Sequence, residues 1–267
     1  MGSFSSADRN LAAAIERAEA QNAERMARLA TASFPNSAFT TIAGGVAIFT
    51  GLGSPMTHAM GIGMSGAVSE EEFDRLEAFY RERGCSCFID LCPMAHDSLI
   101  AFVQNRPYRI IEFNNVLVRA IRPEERFEPD PAVNLAANAE KELWSRTICE
   151  GFSEYMPLSD EQVSLMATIS KEMFCLLGVD AGGNFVGGAG LAIQDRIALF
   201  VGDAVILGFR RNGWQARLIR ERLSIAHRSG CELAVVSVLP GSTSHRNYER
   251  AGFQLLYMRV NLAREFA

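Results

Sequence analysis

The chain is short of basic residues, of histidine and of long apolar runs, and each shortage excludes something. Its 26 Lys and Arg stand against 31 Asp and Glu, a net charge of -5 with pI near 5.5. No broad cationic surface for nucleic acid or an anionic membrane can be built from that balance. A small, cationic substrate is the easier partner. The four histidines, His58, His96, His227 and His245, show no metal-ligand spacing, and Ser65 lacks the flanks of a nucleophile elbow. The six cysteines (Cys85, Cys87, Cys92, Cys149, Cys175, Cys231) form no CxxC pair and lie mostly in apolar segments, so reduced, buried thiols are expected and no metal is implied. The first twenty residues carry Asp, Arg and Glu where a signal peptide needs an apolar core, and no apolar run approaches a membrane span. A cytoplasmic protein is expected.

What is present is ordinary for a globular protein: 48% hydrophobic and 21% charged residues over 267 positions, enough for one large domain or two small ones. Residues 7 to 31 read as an amphipathic helix, with Leu11, Ile15, Ala18, Asn22, Met26 and Leu29 at helical spacing. FTTIAGGVAIFT (39 to 50) and THAMGIGM (57 to 64) read as strands. Ser69 and Glu72 form a capping-box pattern ahead of EFDRLEAFYRER. Strand CFIDL, a short helix SLIAFVQN and a strand pair in RIIEFNNVLVR follow.

AIRPEERFEPDP, residues 120 to 131, reads as a linker for its prolines and acids. The boundaries predicted are 1–121, a linker at 122–131, and 132–267. In the last part come a helix from about Glu140 to Phe152, another near 159 to 171, and strands CLLGVD and FVGGAGLAI joined by the hairpin signal AGGN. An internal repeat is visible. EFDRLEAFYRERG, CSCFIDLCP, a short helix and PYRIIEFNNVLVR match in order QARLIRERLSIAHRSG, CELAVVSVLP, a short helix and GFQLLYMRVNLAR.

Between the apolar run LFVGDAVIL and the helix of the second copy lies GFRRNGWQARL, residues 208 to 218. A helix start exposes unpaired N–H groups and a partial positive charge, which suits a phosphate. Gly213 permits close approach, and Arg210, Arg211 and Arg217 add charged donors. A plain helix start with solvated arginines explains the same residues. The corresponding turn of the first copy, GIGMSG (61 to 66), matches GxGxxG, with Asp90 where a ribose-binding acid belongs. It has no Lys or Arg, however, and its helix opens with Glu70, Glu71 and Glu72, which favours a structural turn over a dinucleotide site.

Arg210 through Ala216 resembles the pyrophosphate-binding motif of the GNAT acetyltransferases, Q/R-x-x-G-x-G/A. HRNYERAGF (245 to 253) resembles that family's later signature, a Tyr on a short helix before Gly-Phe. The resemblance covers about residues 165 to 262 and extends more loosely to the first copy. It implies an α/β fold with a mixed sheet, two tandem GNAT-like units, the first degenerate. It further implies an acetyl-CoA-dependent N-acetyltransferase acting on a small primary amine. Val205 and Leu207 would meet the pantetheine arm on a strand splayed from 233 to 239. Arg210, Arg211 and the backbone of Asn212, Gly213, Trp214, Gln215 and Ala216 would hold the pyrophosphate, and Tyr248 would be the general acid. Gln215 stands where the motif has Gly or Ala, and Gly241 where the second motif has Asn.

Asp203, on the face of Val205, is a base or a carboxylate satisfied at a bulge. Glu142, Glu150 and Glu154 lie where this fold meets its acceptor, although a solvated helix face explains them as well. His245, one turn before Tyr248, caps the short helix or tunes the tyrosine. Trp214 packs beneath the cofactor or in the core. The competing class is a non-catalytic acyl-CoA-binding protein of the same fold. A homodimer, or a first copy that only caps the acceptor site or buries an edge strand, stays open.

Overall fold

The computed structural model describes residues 8–154 and 159–266, and divides into two compact units. One runs through Val116 and takes in residues from Leu255 onward; the other is Leu117–Gln254. Among the described residues no helix is long and apolar enough to cross a membrane.

In the first unit α1 (Arg9–Ser33) leads to β1 (Ala38–Ile42), β2 (Gly45–Phe49) and the two-residue β3 (Ala59–Met60). Ala7, where the expected helix begins, lies outside the described residues. Then come α2 (Glu70–Arg81), β4 (Cys87–Leu91), α3 (Asp97–Asn105) and β5 (Arg109–Ala120), which carries the boundary between the units. The expected strand at 57 to 64 shrinks to β3 because GIGMSG folds as a turn, with Gly61 and Gly63 at positive φ and Gly63 bonded to Ala43 and His96. RIIEFNNVLVR is one continuous strand, not a pair: Asn114 and Asn115 have no Gly or Pro beside them, and the backbone stays extended through both.

The second unit adds β6 (Val133–Leu135), α4 (Lys141–Gly151), α5 (Asp160–Ile169), β7 (Phe174–Val179), β8 (Phe185–Gln194) and β9 (Ile197–Val205). It ends with α6 (Trp214–Arg228), β10 (Leu233–Val238) and α7 (Thr243–Arg250). Its strands lie in the order β10-β9-β8-β7-β6, antiparallel except for the parallel pair β9 and β10. The core forms where the apolar stripe of α6, Leu218, Ile219, Leu223 and Ala226, meets Leu176, Leu191 and Ala234 of the sheet. All six cysteines are free and buried.

The last strand, β11 (Gln254–Arg264), departs from the expected 132–267 partition. From Leu255 it belongs to the first unit, where the order is β1-β2-β3-β4-β11 and Val260 to Arg264 pair antiparallel with Leu91 to Cys87. A polar network fixes it there. Glu16, 0% exposed, accepts from Tyr257 at 2.7 Å and from Arg259 at 2.8 Å, and Arg259 also pairs with Glu19. His58 Nδ1 lies 2.7 Å from Asp90, which also accepts from Asn261 of β11 at 3.2 Å. Asp90 is thus committed within the first unit. The expected linker has no regular element from 122 to 132, yet it is anchored: Asp130 is buried and takes Arg217 at 2.7 and 2.6 Å and Arg220 at 3.0 Å.

Candidate functional site

Two backbone features of the second unit set the site. The parallel register of β10 and β9 runs from Leu233↔Ile197 to Val236↔Phe200, while β10 continues to Val238 and β9 to Val205. The cause is local: β9 bulges against β8 at Gly188/Gly190, and Gly202 sits at φ +54, a conformation that a residue with a Cβ adopts only under strain. The strands therefore separate from residue 201 onward, and Asp203 stands at the parting.

The second feature is the start of α6. Its N-cap, Gly213, is left-handed at φ +78, no side chain caps the helix, and the first turn has no acid. Among the described residues, the N–H groups of Asn212 through Ala216 meet no acceptor. A Cβ built on Gly213 would touch nothing within 4 Å, so the approach to these donors is open. Such a turn can hold an anion through oriented N–H groups and the helix dipole.

The three arginines divide. Arg210 Nε donates to Val205 O at 3.0 Å, Nη2 to Gly151 O at 2.9 Å, and Nη1 pairs with Glu154, so this side chain braces the turn. Arg217 is spent on Asp130 and lies over the Trp214 ring. Arg211, exposed and at φ +65, has no side-chain partner among the described residues. Trp214 is buried, its ring against Gly178. Val205 ends β9, and Leu207 lies beyond it in a short 3-10 turn, 61% exposed.

Tyr248 comes from α7, which Ser242 caps, and its ring meets Phe253 and Phe200 edge-on. Its hydroxyl donates to Asp203 Oδ2 at 2.6 Å and accepts from Arg222 Nη2 at 2.9 Å. Arg222 reaches the same Oδ2 at 2.8 Å and Gln215 Nε2 reaches it at 3.2 Å. Gln215 also donates to Ser244 at 2.8 Å and accepts from Asn247 at 2.7 Å. Tyr248 and Arg222 are both 0% exposed. Burial pushes the Tyr248 phenol well above its ordinary range; Arg222 opposes this and Asp203 adds to it. Arg222 remains a cation because Tyr248 and Asp203 outweigh its desolvation.

The structure thus brings together Asp203, Tyr248 and Gln215, and it sets Arg211 and the α6 N–H groups on the adjoining turn. Sequence reasoning missed Arg222, Ser244 and Asn247. Arg222 had a signal: it interrupts the apolar face of α6, where Leu218 and Ile225 are buried, and an arginine there needs a buried partner. His245 accepts from Gly241 N at 3.0 Å, which caps the loop, and no bond joins it to Tyr248. Glu150 is exposed, Glu154 pairs with Arg210, and Glu142 lines an open cleft of about 690 Å³ between α4 and α5. None of the residues lining that cleft belongs to β9 or β10. At the parting, a strand opening, uncapped N–H donors and a buried carboxylate–phenol–guanidinium cluster lie on adjoining segments.

The second unit is a mixed sheet whose parallel strands separate beside an uncapped helix start. No family model and no curated protein matches this sequence. Solved structures do. The chain is similar to a GCN5-related N-acetyltransferase from Kribbella flavida at 16% identity, with 90% of this chain and 96% of that one covered and a TM-score of 0.62. A tandem GNAT protein from the clavulanic acid biosynthesis pathway matches at 12% identity over 98% of this chain and 97% of its own, with a TM-score of 0.58. A GCN5-related N-acetyltransferase from Sphaerobacter thermophilus matches at 18% identity and a TM-score of 0.54; the aligned part covers 68% of this chain but spans only 60% of that protein. The chain has the GCN5-related N-acetyltransferase fold, mixed α/β.

Proposed function

We propose that the protein is an acyl-CoA-dependent N-acyltransferase that moves the acetyl group of acetyl-CoA to the primary amine of a small molecule, at the second unit. The observation that carries this is the parting of β9 from β10 directly before a helix start whose N–H groups have no acceptor. The pantetheine arm would lie along β9 near Val205 and Leu207, and the pyrophosphate would take the N–H groups of Asn212 through Ala216 with Arg211. Arg210 frames that turn from behind through Val205 and Gly151. Asp203, hydrogen-bonded to Tyr248, handles the proton that the amine loses and the thiolate gains. The negative net charge favours a cationic amine over a nucleic acid or an anionic surface.

The test is thermal stabilisation by acetyl-CoA, longer acyl-CoAs, NAD and ATP, followed by thiol release with a panel of primary amines. Stabilisation by CoA esters alone, weakened several-fold by Arg211→Ala in a salt-dependent way, is the expected result. No shift with any CoA ester would refute the reading. Stabilisation without turnover would make the protein an acyl-CoA binder, which the complete burial of Tyr248 would then explain.

A further inference from the structure

We infer that Asp203 Oδ1 is the oxygen that takes the proton from the amine and returns it to the thiolate, and that Tyr248 and Arg222 are positioning residues acting through Asp203. This rests on the acyltransferase reading. The two oxygens of Asp203 differ sharply. Oδ2 receives three donors, Tyr248 at 2.6 Å, Arg222 at 2.8 Å and Gln215 at 3.2 Å. Oδ1 is buried and has no partner among the described residues. Three donors from two helices hold the carboxylate in one orientation, and that orientation leaves Oδ1 bare. A buried acceptor without a donor is destabilising, which leaves Oδ1 as the oxygen of Asp203 open to an incoming N–H.

Tyr248 is placed poorly to act on a ligand itself. It is 0% exposed, its proton is held by Asp203, and its oxygen accepts from Arg222. Asp203 keeps some side-chain exposure, 11% against 0% for Arg222, although Oδ1 itself is enclosed. Asp203 also stands on the strand at the point where β9 leaves β10.

The step balances with this one group. The neutral amine nitrogen attacks the thioester carbonyl carbon and a C–N bond forms. The nitrogen's proton passes to Oδ1, the C–S bond breaks, and the thiolate takes that proton from Oδ1. Amide and free CoA leave, and the carboxylate is restored. Tyr248 keeps its proton throughout. Its hydrogen bond and that of Arg222 hold Oδ2 and so fix which oxygen of the carboxylate faces a ligand. Gln215, Ser244 and Asn247, the other groups of the network, carry no charge.

The experiment is thiol release from acetyl-CoA with primary amines across pH, in the full chain. Asp203→Asn is expected to lower kcat by on the order of 100-fold with KM for acetyl-CoA nearly unchanged. Tyr248→Phe is expected to lose less than about tenfold, because the phenol orients the carboxylate and does not itself react. Arg222→Lys should keep more activity than Arg222→Gln. Should Asp203→Asn fail to fold, Asp203→Glu retains the charge facing Arg222 and displaces the oxygen. A fall in kcat there supports the assignment, and wild-type kcat overturns it. Tyr248→Phe falling as far as Asp203→Asn would show that the phenol reacts directly and would overturn the inference while leaving the acyltransferase reading intact. Absence of thiol release by the wild-type chain with every amine would overturn both.

Discussion

The helix starts of α2 and α6 occupy the same place in the two copies of the repeat and are built in opposite ways. At α2, Ser69 accepts from Glu72 N, Glu72 reaches back to Ser69 N, and Glu70, Glu71 and Glu72 fill the first turn. The helix supplies its own anion, and Ser69 in turn holds the Glu72 carboxyl below its usual range. At α6 the cap is a left-handed glycine, no acid follows, and the donors face open space. One fold slot can therefore be closed by its own side chains or left for a ligand, and a handful of positions decides which. The polar clusters differ likewise. In the first unit the carboxylates of Glu16, Glu19 and Asp90 hold the last strand, from 171 to 243 residues away in sequence. In the second, Asp203 holds groups 12 to 45 residues away and keeps one oxygen without a partner among the described residues.

Breaking the lock of the first unit has the largest expected effect. Arg259→Met leaves Glu16 and Glu19 without their cation and should cost about 3–5 kcal/mol in urea unfolding, because an uncompensated buried charge remains. In the second unit, Asp130→Asn should cost about 2 kcal/mol at pH 7. The Arg217 hydrogen bonds, helped by Ala132 N, its charge and Arg220, take the Asp130 carboxyl from 3.8 to about 2 against its desolvation, and each unit corresponds to about 1.4 kcal/mol. A depressed carboxylate stabilises the fold above its unfolded pKa. That contribution should fade as pH drops from about 4 through 2, and a wild-type minus variant comparison isolates it.

Ala216→Glu gives α6 the acid that α2 already has. It should weaken acetyl-CoA binding by on the order of tenfold while changing stability by less than about 1 kcal/mol, measured by calorimetry and denaturation together. A variant that bound acetyl-CoA unchanged would end the contrast between the two helix starts. The smallest effect concerns His58. Burial pulls its pKa down, but the charge and hydrogen bond of Asp90 outweigh it and the net shift is upward. A raised histidine stabilises the folded state below its unfolded pKa and loses that contribution as pH rises through the folded value. His58→Asn should therefore flatten the decline in stability on the alkaline side of about 6.5.

Much of this architecture was legible because it is local. Period and punctuation located α1, α2, β4 and α6 to within a few residues, and the Ser69–Glu72 box was readable from spacing alone. The uncapped turn was legible too, as a glycine and arginines with no acid. Which arginine is available was not, since Arg210 and Arg217 find carbonyl and carboxylate partners on segments 56 to 87 residues away. Gln215 looked like a defect in a motif. In space it ties the turn to Asp203, Ser244 and Asn247.

By itself the sequence determined the order of elements, the repeat, and the difference in charge between the two helix starts, because propensity, capping and composition act within a few residues. Tertiary structure alone decided that the last strand completes the first unit, that Arg222 joins Asp203 and Tyr248, and that one oxygen of Asp203 is left bare. Strand pairing and buried charge partnership depend on which distant segments meet, and no local pattern encodes that.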